Sequence, residues 1–177
     1  ANSHFITLSP NLGVVEVDHG CSFVCADIPG VIEGAAEGAG LGHDFLRHVE
    51  RTRFLVHILS IEDVDMEAEN PWEGFDLIND ELAQFDPELA MRRQIEVVNK
   101  IDLRTEEELE AMKARAKADG RDILFVSARE EIGLEELVAR MWKLREELDY
   151  NDPFVHYQEE VVVDEEFPEI EVIWTRE

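Results

Sequence analysis

The chain has 177 residues, the size of one domain with a core of its own. Its 42 acidic and 16 basic residues leave a formal net charge of −26, a surface that repels phosphate backbones and anionic lipid. Direct DNA binding is therefore not expected, although a local basic patch around Arg47, Arg51 and Arg53, or around Arg92 and Arg93, could still meet RNA. No run approaches the ~20 apolar residues needed to span a bilayer, and ANSHFITL lacks a signal-peptide pattern, so a cytoplasmic protein without a membrane partner is expected.

Residues 1 to 13, ANSHFITLSPNLG, read as a loop ending in a Pro-Asn turn and Gly13. Val14-Val15-Glu16-Val17 and Ser22-Phe23-Val24-Cys25-Ala26 read as strands, and Asp18-His19-Gly20 between them is a good hairpin turn, which predicts an antiparallel pair at one side of a sheet. Cys21 and Cys25 fall on one face of that strand at a spacing too long for a disulfide within it, so reduced thiols are expected.

The stretch DIPGVIEGAAEGAGLGHDFLRHVERTR, Asp27 to Arg53, opens directly on the end of the second strand. A carboxylate and a flexible glycine amide are thereby delivered where α/β sheets place ligands. Glycines and small residues up to Gly42 keep the following segment irregular, and Leu41, Phe45, Leu46 and Val49 then start an amphipathic helix. His43, His48 and Glu50 invite a metal reading, but the two histidines are poorly spaced for one helix face and have no cysteine partner, so a surface or packing role is expected.

Phe54 to Leu59 is nearly all apolar, as a strand covered on both faces must be, which makes His57 a core histidine rather than a ligand. From Pro71 to Phe85, the residues Phe75, Ile78, Leu82 and Phe85 form a helical stripe. Ile95-Glu96-Val97-Val98 is the next strand and runs straight into Asn99-Lys100-Ile101-Asp102. Thr105 and Glu108 form a capping box for a helix that Gly120 ends. Ile123-Leu124-Phe125-Val126 is another strand, followed by Ser127-Ala128-Arg129, and Leu134, Leu137, Val138, Met141 and Trp142 mark a last helix to about Leu148. Alternation of strand and helix from residue 53 onward predicts a mostly parallel sheet with helices on both faces. After Tyr150 the composition turns acidic, with Val161 to Val163 and Ile170 to Trp174 as short extended runs.

Three polar motifs at three strand ends, DIPG, NKID and SAR, make a site. With the long Asp27 to Arg53 stretch they resemble the G domain of the Obg family of GTPases, over roughly residues 1 to 150. Residues 151 to 177 would then be an acidic linker and the possible start of a C-terminal domain. The resemblance implies a Ras-like P-loop NTPase fold, GTP or GDP as ligand, Mg2+ as cofactor, and the ribosome or its large subunit as partner, with roles in ribosome assembly and in growth and stress control.

It also implies a nucleotide-binding set of Phe5, Ile6, Thr7, Leu8, Ser9, Asp27, Ile28, Pro29, Gly30, Asn99, Lys100, Ile101, Asp102, Ser127, Ala128 and Arg129. Within it, Thr7 would ligate the magnesium and Asp27 would hold it through water. Asp102 would take two hydrogen bonds from guanine, Lys100 would lay its stem along the purine, and the Ala128 amide would face the guanine oxygen. Val31 stands where many GTPases carry a water-orienting glutamine, so slow hydrolysis is expected and no catalytic residue is assigned.

No G-x-x-x-x-G-K-[ST] sequence occurs in the chain. In the family that loop, and the strand that carries it at the middle of the sheet, precede the first switch, so a carboxy-terminal part of a longer protein is expected. A sheet without its central strand would leave two unpaired edges unless it rearranged, swapped or borrowed a strand. The rival reading is a non-catalytic remnant that uses the helix from Leu41 to Arg53 as a protein-contact surface.

Overall fold

The computed structural model describes residues 11–18, 21–29, 52–85, 87–151 and 172–176. The glycine-rich stretch, the helix expected after it and the loop of residues 1–10 lie outside the described residues. In chain order the elements are β1 (Asn11–Asp18), β2 (Cys21–Pro29), β3 (Phe54–Ser60), α1 (Glu73–Phe85), α2 (Pro87–Ala90), β4 (Gln94–Asn99), α3 (Glu106–Ala118), β5 (Ile123–Phe125), α4 (Leu134–Asn151) and β6 (Val172–Arg176). The short helix α2 was not foreseen; Pro87 at its first position, with φ already near the helical value, is the local signal for it.

One six-stranded sheet is formed, in the order β1-β2-β6-β3-β4-β5. β1 and β2 are the expected antiparallel hairpin, with Val14 opposite Val24 and Val15 opposite Phe23. Every other neighbouring pair is parallel.

The fold departs from the expected gap at the sheet's centre. The place between β2 and β3 is held by β6, which pairs along Cys25–Pro29 on one side and Phe54–Ile58 on the other. An empty slot would strand two rows of backbone N–H and C=O groups inside the protein, each costly to bury unpaired. The run Val172-Ile173-Trp174, β-branched and aromatic, has the composition that extended structure favours. The chain thus borrows a strand from its own far end.

Period-two alternation in the strands feeds two apolar layers. On one face Phe23, Cys25, Phe54, Val56, Ile95, Val97, Leu124 and Val126 pack with Leu137, Met141 and Leu144 of α4. On the other, Leu59, Val98 and Ile123 pack with Trp72 and Phe75 around α1 and with Met112 and Ala116 of α3. α1 lies so close on β3 that a Cβ at Gly74 would meet Leu59 Cδ2 at 2.9 Å, so a larger residue there would displace the Leu59 side chain. The two helices on this face are tied by Trp72 Nε1, which donates to Asp119 at 2.9 Å.

α3 begins as expected: Thr105 Oγ1 accepts from the Glu108 amide, and the Glu108 carboxylate accepts from the Thr105 amide at 2.8 Å. Cys21 and Cys25 are not joined in a disulfide, and Cys25 lies in the core. Among the described residues, no helix is long and apolar enough to cross a membrane.

Candidate functional site

β4 delivers Asn99 to the rim and ends there because Lys100 turns into the left-handed region, φ 66° and ψ 34°. A single 3-10 turn, Ile101–Leu103, follows and is pinned by burial of Ile101 and by its amide, which donates to the Val126 carbonyl at 3.2 Å. That turn leaves Asp102 exposed at the rim. The loop after β5 comes to meet it. Ser127, fully buried, donates its hydroxyl to Asp102 Oδ1 at 2.6 Å, and Ser127 Oγ in turn accepts from the Glu130 amide at 3.1 Å.

The Ala128 amide donates to Asn99 Oδ1 at 3.0 Å. Reciprocal backbone bonds between Ser127 and Ile132, both 3.0 Å, close the loop. Gly133 (φ +75°) completes it, where a Cβ would stand 2.9 Å from the Phe125 carbonyl oxygen. NKID and SAR are therefore one hydrogen-bonded unit rather than two adjacent loops.

Lys100 shows a partner that sequence reading missed. Its ammonium donates to Glu62 Oε2 at 2.8 Å, and Glu62 sits in a 3-10 turn capped by Ser60 at the end of β3. The Ser60 hydroxyl also donates to that carboxylate at 3.3 Å. These contacts, Lys100 first, hold the Glu62 carboxyl below its ordinary range. The signal available was Ser-x-Glu directly after an apolar strand, which marks a capped turn but not its partner. The ends of β3, β4 and β5 are thus joined side chain to side chain.

The remaining predicted residues divide by location. Asp27, Ile28 and Pro29 form the carboxyl end of β2. Since β2, β6, β3 and β4 all run the same way, their backbone lies toward the rim that carries Asn99. Arg129 is on the surface, 3.4 Å from Glu130. Phe5, Ile6, Thr7, Leu8, Ser9 and Gly30 lie outside the described residues, as do His43, His48 and Glu50.

His57 is a core residue. Its ring stands edge-on to Phe75 at 4.8 Å, Nε2 has no partner, and burial followed by the nearby Arg121 lowers its pKa to about 4.

Residues 1–100 match the family model described as "50S ribosome-binding GTPase". The "GTPase Obg" of Nitratidesulfovibrio vulgaris strain DP4 is 62% identical over 98% of this chain, and that of Desulfovibrio desulfuricans 61% identical over 98%. The chain belongs to the Obg family of GTPases. More distant Obg proteins still align: that of Clostridioides difficile is 48% identical over 84% of the chain. The chain spans about half the length of these curated relatives, 47% of the Nitratidesulfovibrio vulgaris protein and 48% of the Desulfovibrio desulfuricans one. The parallel order of β6, β3, β4 and β5 with helices on both faces is the α/β architecture of an Obg-type P-loop GTPase domain.

Proposed function

We propose that this chain is the guanine-nucleotide-binding part of an Obg-type switch that hydrolyses GTP and works on the large ribosomal subunit in the cytoplasm, in its assembly and in growth and stress control. The observation that carries the reading is the Asp102–Ser127 hydrogen bond of 2.6 Å beside the Ala128–Asn99 bond of 3.0 Å. Base recognition needs a carboxylate whose rotamer is decided before the ligand arrives. Ser127 donates to one Asp102 oxygen and so fixes the plane of the carboxylate, whose two oxygens would accept from the ring N–H and exocyclic amine of guanine. The Ala128 amide, held at the site by Asn99 Oδ1 at 3.0 Å, would exchange that acceptor for the guanine oxygen.

At the phosphate end, Thr7 and Asp27 are oxygen donors of the kind that a hard cation takes, and would hold Mg2+, Asp27 through water. The cation would neutralise charge on the β- and γ-phosphates. The Gly30 amide would meet the γ-phosphate and let go after hydrolysis, freeing its loop. Val31 orients no water, so turnover is slow.

A second reading is a protein-contact module without catalysis, with the helix expected from Leu41 to Arg53 as its contact surface. Titration with fluorescent GDP and magnesium separates the two. Guanine-specific binding that Asp102→Asn converts toward xanthine nucleotides supports the switch; binding that this substitution leaves unchanged overturns the base-recognition assignment, and absence of binding fits the module or a chain that is one part of a longer protein.

A further inference from the structure

The carboxyl rim of the sheet carries the proposed ligand residues at separate places: Asp102 and Ser127 in the turns after β4 and β5, and Asp27 at the end of β2. With the strands in the order β2-β6-β3-β4-β5, the end of β3 lies on the path between them. Lys100 follows the end of β4, and its ammonium reaches Glu62 Oε2, just past the end of β3, at 2.8 Å. The lysine side chain therefore runs along the rim from the base end toward the phosphate end. That is the direction in which a bound nucleotide would lie.

Both ends of this span are held. At the start, Lys100 keeps a left-handed backbone, φ 66° and ψ 34°, which is unfavourable for a lysine and is fixed by the Leu103 amide, donating to the Lys100 carbonyl at 3.0 Å. At the far end, the Ser60 hydroxyl donates to the Glu62 carboxylate and accepts from the Glu62 amide, both at 3.3 Å. The hydrogen bond from Lys100 holds the Glu62 carboxyl below its ordinary range, so the acceptor stays charged at neutral pH. The Lys100 and Glu62 side chains are 48% and 60% exposed, and an ion pair so open to water contributes little to folding. What it does is confine a long, flexible stem to one path while leaving much of that stem open to a ligand.

We infer that Glu62 is a positioning residue for Lys100: it anchors the ammonium, so that the alkyl stem is laid out as a platform for the purine face before the nucleotide arrives. The inference rests on the base-recognition reading above and divides the work within it. Asp102 meets the edge of the base, which distinguishes guanine from hypoxanthine; Glu62 acts through Lys100 on the face, which the two bases share. A stem already confined loses less rotamer freedom on binding, and affinity gains by that difference.

The test is titration of the full chain with fluorescent GDP and magnesium, with unlabelled GDP and inosine diphosphate as competitors, for wild type, Glu62→Gln, Lys100→Met and the double variant. Glu62→Gln should raise both dissociation constants by roughly two- to fivefold, the range of an exposed ion pair, with the GDP-to-inosine-diphosphate preference and the thermal midpoint as in wild type. Lys100→Met keeps an unbranched apolar stem and removes the ammonium, so adding Glu62→Gln to it should change nothing further. The same loss from Glu62→Gln in both backgrounds would mean that Glu62 acts through its own turn, and overturns the inference. A shifted base preference would place the effect at Asp102 and overturns it too. Binding that Glu62→Gln leaves unchanged overturns it alone, with the base-recognition reading still standing, whereas a wild-type chain that binds neither nucleotide gives Lys100 no purine to carry and overturns the inference for this chain.

Discussion

The hydroxyl of Ser127 donates to the carboxylate of Asp102 at 2.6 Å, joining two loops that are 25 residues apart in sequence. Ser127 also accepts from the Glu130 amide at 3.1 Å, so a single buried oxygen both aims the proposed base-reading carboxylate and shapes the loop that carries Ala128.

Removing that oxygen should therefore be felt twice. Ser127→Ala takes the donor from a carboxylate and leaves the Glu130 amide without its acceptor, a loss of about 1–3 kcal/mol. Chemical denaturation should show it as a lower midpoint with unchanged slope, and guanine-nucleotide affinity should fall alongside. Stability equal to wild type would mean that the bond contributes nothing.

Gly133 has φ +75°, and a Cβ there would stand 2.9 Å from the Phe125 carbonyl oxygen. Backbone strain and a backbone clash act together, so Gly133→Ala should destabilise by more than about 1 kcal/mol. Gly120, φ +73° with nothing within 4 Å of its would-be Cβ, carries the strain alone. Gly120→Ala should cost less, and thermal melts of the two variants measure the difference.

His57 is kept neutral in the folded protein by burial, with its pKa lowered to about 4 from 6.5. Between those values the unfolded chain binds a proton that the folded one refuses, so this residue makes stability rise with pH. Its contribution is intact above about pH 6.5, falls as pH drops toward 4, and is lost below it, amounting to about 3 kcal/mol. Denaturant titrations at several pH values should show a gradient in wild type that His57→Leu reduces. The ring's edge contact with Phe75 at 4.8 Å sets a pH-independent offset between the two proteins.

β6 supplies hydrogen-bond partners to both β2 and β3, with Ile173 between Ala26 and Leu55. Ile173→Pro removes a donor and forces a ring into a central strand, where proline is not accommodated. The expected outcome is loss of the cooperative thermal transition, read by circular dichroism. An unchanged transition would show that the strand adds nothing to the fold.

The amino-acid sequence by itself determined what depends on neighbours along the chain. Phe54–Leu59 reads as a doubly covered strand because nearly every residue is apolar, and β3 is buried at every position but one. The Thr105–Glu108 capping box announces α3 because its two hydrogen bonds close within four residues. NKID and SAR were legible as strand-end motifs for the same reason, each following its own apolar run.

Tertiary structure decided what depends on residues far apart. Which extended segment would fill the centre of the sheet was open to any apolar run, and Val172–Arg176 took the place through pairing with strands more than a hundred residues away. Glu62 became the partner of Lys100 only because β3 and β4 end side by side, with Ser60 opposite Asn99. Lys143 and Arg93 likewise reach one carboxylate, that of Glu147, only after α4 is packed across the sheet. Periodicity and capping are short-range and are written in consecutive residues; strand order and the convergence of charge are long-range and are settled when the layers close.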